Sequence, residues 1–234
     1  MSIRERLAAL AHEYGLPDPA VERFSRLLQA LATEPDPQTA VAQPEQAVDY
    51  HVADALSALK IGAVRDAAAL VDIGAGAGFP GLPLAVALPS ARVDLVESVR
   101  RKCAVIQRLA EAAEVENARF RLARAEEWGA GEGRGAYDVA TARAVAPLPV
   151  LVEYAAPLLR PGGAFVAWKG ARDSQEEDAG SAAAEVVGLR PVEVLPVRPF
   201  AAARDLNLHL YLKDRKTPQR FPRRPGVAAK RPLA

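Results

Sequence analysis

The stretch from residue 71 to residue 81 constrains the fold of this 234-residue chain more than any other, and it reads Val-Asp-Ile-Gly-Ala-Gly-Ala-Gly-Phe-Pro-Gly. An apolar run ends at Asp72, glycines then alternate with alanine, and Pro80 stands where the first turn of a helix would begin. Glycine allows a positive φ and a close approach of the backbone to a ligand, and proline suits a helix start because its missing N–H is not needed there. The stretch therefore predicts a strand, a loop that lies against a ligand, and a helix.

From residue 69 onward, strand-like and helix-like patterns alternate, which predicts an open, mostly parallel sheet of seven strands with helices on both faces. The predicted strands span 69–73, 92–97, 118–122, 138–142, 164–168, 191–197 and 206–213, and the helices span about 81–88, 100–113, 147–159 and 174–187. Pro161-Gly162-Gly163 is predicted as a tight turn before its strand. Earlier residues recur at helical spacing around the Pro-rich segment 34–37, which predicts a helical extension with too small a core to fold alone.

The spacing of the glycines is compatible with two classes of cofactor. Counted from Gly76, the G-x-G-x-x-G spacing of a dinucleotide site is met, so a nicotinamide cofactor stays open. Glu97 follows Gly78 by nineteen residues at the end of the next strand, where an acid can bind both hydroxyls of a ribose. Asp72 directly precedes the first glycine, where it would repel a pyrophosphate and favour a cationic ligand such as S-adenosylmethionine. Asp72 therefore favours S-adenosylmethionine over a nicotinamide cofactor.

The composition, 50% hydrophobic and 25% charged, is that of a soluble globular protein and excludes disorder of the whole chain. Apolar runs are far shorter than the roughly 20 residues of a bilayer-spanning helix, and residues 2–6 are not typical of a secretory signal. The single cysteine, Cys103, is interpreted as a helix-packing residue and fits a reducing cytoplasm, where we expect the protein. The spacing of the three histidines predicts no metal site.

Several motifs together resemble the bacterial 16S ribosomal RNA guanine-N7 methyltransferases, the family also called glucose-inhibited division protein B. They are the run 71–84 with Phe-Pro-Gly after the glycines, Arg101-Lys102-Cys103, Arg124-Ala125-Glu126-Glu127, Thr141-Ala142-Arg143-Ala144, Trp168-Lys169-Gly170, and the ending 217–226 followed by Lys230-Arg231-Pro232-Leu233. The resemblance covers about residue 48 to the end. The chain departs from the family at 33–43, which is Pro-rich here, and at Tyr50, where relatives carry an arginine before the histidine.

The resemblance implies an α/β class I S-adenosylmethionine-dependent methyltransferase (Rossmann-like) fold that binds S-adenosylmethionine and 16S ribosomal RNA or the small ribosomal subunit. It implies that Gly74 and Phe79 line the methionine end of the cofactor, that Ala125 and Glu126 flank the adenine, and that Arg143 touches the cofactor site. With the spacing argument for Glu97, the predicted cofactor-binding residues are Asp72, Gly74, Gly76, Gly78, Phe79, Glu97, Ala125, Glu126 and Arg143.

Methylation of guanine N7 needs no catalytic base, because N7 carries an exposed lone pair and loses no proton before it attacks. Positioning and electrostatics are therefore expected to supply most of the rate. Arg143 and Lys169 follow strand ends, where ligands bind in such sheets, and are the predicted catalytic residues; an ordinary salt bridge is the alternative for each. His51 is interpreted equally well as a site residue or as a structural histidine.

The end of the chain is strongly basic. Residues 213–234 hold eight basic residues and one acid, a charge of +7 in a chain of net charge +1, so the rest carries −6. A basic tail on an acidic body fits a polyanion, and Phe221 offers a face on which a base could stack. The predicted RNA contacts are Arg220, Arg223, Arg224, Lys230 and Arg231, on a tail that its prolines keep extended. Deletion of 217–234 is expected to weaken RNA binding and to leave cofactor affinity nearly unchanged.

The predicted organisation is an N-terminal helical extension (1–62), a methyltransferase domain (63–213) and a basic C-terminal tail (214–234). Two other functions stay open at this stage. One is an NAD(P)-dependent oxidoreductase, and the other is an RNA-binding assembly factor that has kept the pocket without turnover.

Overall fold

The computed structural model describes residues 2–234, in which seven strands form one sheet of order β3-β2-β1-β4-β5-β7-β6. Strands β1 to β5 pair in parallel, and β7 pairs antiparallel with both β5 and β6. The strands are β1 (Ala69–Ile73), β2 (Arg92–Glu97), β3 (Ala118–Leu122), β4 (Tyr137–Arg143), β5 (Leu159–Lys169), β6 (Leu189–Val197) and β7 (Leu206–Lys213). The prediction of a seven-stranded, mostly parallel sheet is confirmed.

The helices are α1 (Ile3–Tyr14), α2 (Ala20–Thr33), α3 (Pro44–Ala47), α4 (Asp54–Leu56), α5 (Gly62–Arg65), α6 (Gly81–Ala87), α7 (Arg100–Ala112), α8 (Ala125–Ala130), α9 (Leu148–Ala155), α10 (Ser174–Val187) and α11 (Val227–Lys230). A π-helical segment (Val48–Ala53) joins α3 to α4, and a 3₁₀ segment (Ser57–Lys60) follows α4. No helix within 2–234 is both long and apolar enough to cross a bilayer.

Local signals account for the elements whose bounds match the prediction. Helix α10 spans 174–187 because Asp173 caps its N-terminus by accepting from Gln175 N, and Gly188 ends it in the left-handed conformation. Strands β1 and β2 lie in the middle of the sheet and are buried on both faces, so they read as nearly continuous apolar runs.

The structure corrects two predicted elements. Pro161-Gly162-Gly163 belongs to strand β5 and is no separate turn; the chain enters the sheet at Leu159, and the β4–β5 register shifts before it continues at Ala164. A methyl group built on Gly163 would lie 2.9 Å from the carbonyl oxygen of Asp138, so glycine lets the two strands approach there. Helix α9 ends at Ala155, four residues before the predicted end at 159.

The N-terminal helices pack on the sheet and share its core. Leu7, Phe24 and Leu27 are fully buried and belong to the same hydrophobic cluster as Leu70 and Val93 of the sheet. The second cluster lies on the opposite face of the sheet, around α9 and α10. The helical extension thus gains in the assembled fold the core that its own sequence lacks, and the division at 62 and 213 stays a prediction.

Parallel strands bring their carboxyl ends to one edge of the sheet. Gly74 follows β1, Glu97 ends β2, Arg143 ends β4 and Lys169 ends β5. Ligands bind at this edge in open α/β sheets. The strand order differs from the 3-2-1-4-5-6 order of the dinucleotide-binding fold, because the antiparallel β7 lies between β5 and β6.

Candidate active site

The glycine loop between β1 and α6 has the left-handed backbone that its sequence predicts. Gly74, Gly76 and Gly78 have φ values of 65°, 60° and 100°, which other residues adopt only with strain. A methyl group on Gly74 would also lie 2.8 Å from Cγ2 of Val145, in the loop after β4. Two loops at the sheet edge therefore meet at Gly74.

Backbone N–H groups of this loop donate within the protein. Gly74 N–H donates to the carbonyl of Val96 at 2.8 Å, and Gly76 N–H donates to Glu97 Oε2 at 3.1 Å. A pyrophosphate site presents free N–H groups to its anion. The loop geometry therefore disfavours a dinucleotide.

Asp72 lies beneath the loop and has no exposed surface. Its Oδ2 accepts from Gly81 N–H and its Oδ1 from Thr141 Oγ1, each at 2.9 Å. Burial raises the pKa of Asp72 to about 7, against the lowering effect of these hydrogen bonds. The carboxylate joins the start of α6 to β4 beneath the loop, and its role in cofactor binding stays a prediction.

Gly78 and Phe79 lie deeper than the sequence predicts. Gly78 is buried, and a methyl group on it would lie 2.6 Å from Cδ1 of Leu82, so the turn into α6 requires glycine there; its contact with a cofactor stays a prediction. The ring of Phe79 stacks on His51, with centroids 4.1 Å apart and planes inclined by 10°. Phe79 is only 6% exposed, and its contact with a cofactor stays a prediction.

Glu97 is buried at the end of β2, beside the loop. Besides the Gly76 N–H it binds the N–H of Val99, which donates to Oε1 at 2.8 Å. A carboxylate has about four lone-pair positions, so these bonds leave room for ribose hydroxyls. The predicted role at the ribose is compatible with this geometry.

A cavity of 160 Å³ opens beside Gly74, between Val145, Ala125, Glu126 and Tyr154. It is smaller than the roughly 300 Å³ of an ordinary small-molecule pocket, so it fits one planar part of a larger ligand. Glu126 is 4% exposed, and its carboxylate lies close enough to the Tyr154 hydroxyl to act on it electrostatically. Burial and this carboxylate together raise the pKa of Tyr154 to about 12. The predicted adenine residues Ala125 and Glu126 thus lie in the wall of one cavity, and their role at the adenine stays a prediction.

A second cavity of 530 Å³ lies on the other side of Val145. Arg143, Trp168, Lys169 and Asp54 are among the residues that line it. The structure therefore brings both predicted catalytic residues to one cavity, next to the loop.

Arg143 forms hydrogen bonds with three residues of the N-terminal helical region. Its Nη1 donates to Asp54 Oδ2 at 2.7 Å and to the carbonyl of Tyr50 at 2.8 Å, and its Nη2 lies 3.1 Å from His51 Nδ1. Burial raises the pKa of Asp54 although Arg143 lowers it. Asp54 Oδ1 is buried without a hydrogen-bond partner in residues 2–234.

The same contacts set the tautomer of His51. Its Nε2 lies 2.8 Å from the carbonyl of Val41 and therefore carries the proton, while Nδ1 accepts from Arg143. Burial first, and then the charge of Arg143, lower the pKa of His51 to about 4. His51 is thus a neutral ring that supports Arg143 and Phe79. Lys169 donates to Glu176 Oε1 at 2.6 Å, so it is in the salt bridge that the sequence left open.

The tail is docked on the body, which corrects the prediction of a free, extended tail. Phe221 is 2% exposed and belongs to the cluster around α9, so its ring offers no face to RNA. Arg223 Nε lies 2.8 Å and 3.1 Å from the two carboxylate oxygens of Glu153, which is fully buried. Arg223 therefore compensates a buried charge and is not a free RNA contact. Arg220, Arg224, Lys230 and Arg231 remain exposed.

Sequence reasoning missed Asp54, Val145, Tyr154 and Glu153. Tyr154 and Glu153 lie within a helix whose pattern indicates only core, and Val145 lies in a loop without a distinctive motif. Asp54 was visible only as part of a His-x-x-Asp spacing after Tyr50. Asp54, Val145 and Glu153 gain their roles from partners about 70 to 90 residues away, and Tyr154 gains its role from Glu126 on another helix. Local patterns do not show these pairings.

Comparisons with known proteins agree with this geometry. A family model described as GidB, rRNA small subunit methyltransferase G, matches residues 19–202. The chain is 41% identical over 234 residues to ribosomal RNA small subunit methyltransferase G of Deinococcus radiodurans, covering 98% of this chain and 92% of the relative. It is 35% identical over 236 residues to the protein of that name in Bacillus cereus, covering 98% of each.

Solved structures show the fold. A fibrillarin pre-rRNA processing protein of Methanococcus jannaschii aligns over 77% of each chain, with a TM-score of 0.53 and 18% identity. A 16S rRNA (adenine(1408)-N(1))-methyltransferase of Catenulisporales acidiphilia aligns over 67% of this chain and 89% of its own, with a TM-score of 0.53 and 15% identity. With a matching family model and relatives of this similarity over nearly its whole length, the chain belongs to the rRNA small subunit methyltransferase G family.

Proposed function

We propose that this protein transfers a methyl group from S-adenosylmethionine to N7 of a guanine in 16S ribosomal RNA. The observation that carries the proposal is the pair of cavities at the carboxyl edge of the sheet, which share Val145. One fits the adenine end of the cofactor, and the larger one has room for a base. An enzyme that joins two ligands must hold them side by side in this way.

The cofactor contacts that we propose follow from the loop and the smaller cavity. Gly74 and Gly76 are the half-buried positions of the loop, Ala125 and Glu126 line the cavity for the adenine, and Glu97 holds the ribose. S-adenosylmethionine supplies an electrophilic methyl group on a sulfonium. The residues of the chain fix its direction toward the larger cavity.

In the larger cavity the chain needs to position a guanine and to exclude water. The N7 lone pair forms the new bond to carbon while the carbon–sulfur electron pair leaves with sulfur, and no proton is removed. Guanine O6 lies next to N7 and accepts hydrogen bonds from arginine or lysine. We propose that Arg143 or Lys169 donates to O6.

The charges of this cavity suit the product. Methylation places a positive charge on the guanine ring, and an unpaired arginine and lysine would oppose it. Asp54 and Glu176 are paired with Arg143 and Lys169, so the two cations donate hydrogen bonds within pairs that carry little net charge. The pairing thus limits the repulsion that unpaired cations would exert on the positive charge as it moves from sulfur to the guanine ring.

We also propose that the exposed basic residues of the tail, Arg220, Arg224, Lys230 and Arg231, contact phosphates of the RNA. Each neutralised phosphate releases counterions, so changing all four residues to glutamine should lower the slope of log K against log salt by about 0.7 to 0.9 per lost contact. An unchanged slope would remove the tail from RNA binding. A ribosomal substrate also implies a cytoplasmic location.

The central experiment incubates the protein with labelled S-adenosylmethionine and small-subunit particles at several stages of assembly. We expect label in 16S RNA at one guanine, identified as N7-methylguanine by its sensitivity to reduction and aniline cleavage. Label at another atom would refute the N7 assignment. RNA binding without transfer at any stage would favour the assembly-factor hypothesis.

Calorimetry distinguishes the cofactor classes. S-adenosylhomocysteine is expected to bind at micromolar concentration, whereas NADH is not, because the loop N–H groups are already engaged. Binding of NADH alone would overturn the proposed cofactor and with it the reaction.

A further inference from the structure

The C-terminal segment is anchored by contacts that are unusually strong for the end of a chain. Arg223 binds both carboxylate oxygens of Glu153, which has no exposed surface, and Arg134 donates to the carbonyl of Phe221 at 2.8 Å. Phe221 and Ala228, which flank Arg223 in the sequence, are both buried. Loss of one partner of a buried pair leaves an uncompensated charge, so docking of the segment 221–228 is strongly favoured.

The anchored segment reaches the wall of the smaller cavity. Gly226 N–H donates to Glu126 Oε1 at 2.8 Å, from a left-handed residue with φ of 78°. The same carboxylate lines the cavity together with Tyr154, which directly follows Glu153 in α9. The tail thus touches the wall twice, at the carboxylate of Glu126 and through the neighbour of Tyr154.

We propose that the segment 221–228 is part of the cofactor site, with Arg223 and Gly226 as positioning residues that hold Glu126 and Tyr154 in place for the adenine. The inference rests on the proposed function, since it takes the cavity of Glu126 and Tyr154 as the adenine site. It contradicts the expectation from sequence that the tail can be deleted without effect on the cofactor.

The physical reason is the burial of Glu126. A carboxylate that is 4% exposed needs its hydrogen bonds, and without Gly226 N–H it turns toward another donor or toward water. Either movement changes the wall of a cavity of only 160 Å³. Coupling of this kind is reciprocal, so a bound cofactor also strengthens the docking of the tail. The exposed basic residues of the same tail then link RNA binding to cofactor binding.

The first test compares Arg223→Gln with Lys216→Gln in the full-length protein. Both variants remove one positive charge from the tail, and Lys216 is exposed. Calorimetry with S-adenosylhomocysteine should give a dissociation constant about tenfold higher for Arg223→Gln, the factor that loss of one well-placed hydrogen bond produces, and an unchanged constant for Lys216→Gln. Steady-state kinetics should show a higher KM for S-adenosylmethionine with kcat nearly retained. Equal constants for wild type and Arg223→Gln would overturn the proposal.

A second variant covers the case in which Arg223→Gln fails to fold because Glu153 is left charged and buried. Glu153→Gln with Arg223→Gln removes both charges, so its fold is expected to survive while the docking weakens. The same tenfold criterion applies to it, with the melting temperature as a check on folding.

Hydrogen exchange gives a measurement that a merely structural tail would not affect. Saturating S-adenosylhomocysteine should slow exchange in the peptide 217–234 of the wild-type protein, because binding and docking are linked. Unchanged exchange in a protein that does bind the ligand would overturn the coupling. A wild-type protein that binds no S-adenosylhomocysteine would instead refute the proposed function, so the two failures are distinct.

Discussion

Replacement of Asp72 by asparagine is expected to stabilise the protein above neutral pH, although it removes a charged residue next to the glycine loop. Asp72 is fully buried, and burial raises its pKa from 3.8 to about 7. An asparagine can reproduce the hydrogen bonds of the protonated acid: its oxygen accepts from Gly81 N–H, and its amide donates to Thr141 Oγ1, which then donates to the carbonyl of Val71. The substitution therefore leaves no buried polar group without a partner.

The sign and size of the effect follow from proton linkage. The folded protein keeps the Asp72 proton up to about pH 7, while the unfolded chain releases it near 3.8, so wild-type stability is full below 3.8 and falls as the pH rises through this window. At about 1.4 kcal/mol per pH unit, the loss between pH 4.5 and pH 8 is about 3 kcal/mol. The side-chain amide of the Asp72→Asn variant does not titrate, so the variant escapes this loss.

The assay is urea unfolding of both proteins at pH 4.5 and pH 8, followed by circular dichroism. The difference in free energy of unfolding, variant minus wild type, should rise by about 3 kcal/mol between the two pH values, and other titrating groups cancel in this difference. Thr141→Val is the matched control. It removes the hydroxyl that lowers the pKa of Asp72, so this variant should lose more stability than the wild type between pH 4.5 and pH 8. A difference that does not change with pH would show that Asp72 ionises as it does in the unfolded chain and would refute the reasoning.

Three further predictions address the site. Gly74→Asp should abolish S-adenosylhomocysteine binding in calorimetry with an unchanged circular dichroism spectrum, because any Cβ there meets Val145; retained affinity would contradict the loop assignment. Arg143→Lys should lower methyl transfer about 10- to 100-fold, since one ammonium cannot replace the guanidinium contacts with Asp54, Tyr50 and His51; near-wild-type transfer would exclude Arg143 from the mechanism. In an NMR titration His51 should keep its Nε2 proton and become charged only near pH 4, with an ordinary midpoint of about 6.5 as the contrary result.

The elements of the fold were largely predictable because their signals are local. The apolar runs of β1 and β2, the alternating pattern of β3, the cap residues Asp173 and Gly188, and the glycine loop all lie within a few positions of the element that they define. The predicted turn at 161–163 was wrong because Pro and Gly indicate a turn locally, whereas the flanking Leu159 and Ala164 pair with Tyr137 and Val139 and keep this stretch in the sheet. Tertiary pairing overrides local preference where a strand carries an irregularity.

The tail shows the opposite case. Its charge and prolines indicate an extended, solvated segment, and four of its five predicted RNA contacts are exposed. Burial of Phe221 and pairing of Arg223 depend on a hydrophobic surface and a carboxylate of α9, which lie about 70 residues earlier in the chain. Nothing in the composition of the tail distinguishes Arg223 from Arg224.

The amino-acid sequence by itself determined the alternation of strands and helices, the position of the glycine loop, and the acids that flank it, because hydrophobic periodicity and backbone freedom act over a few residues. Only the tertiary structure decided what those acids do. Asp72 was placed under the loop, Glu97 beside it, and Glu126 between Tyr154 and the C-terminal segment. Whether a carboxylate faces a ligand or a backbone N–H depends on which distant elements exclude water from it, and packing alone sets that.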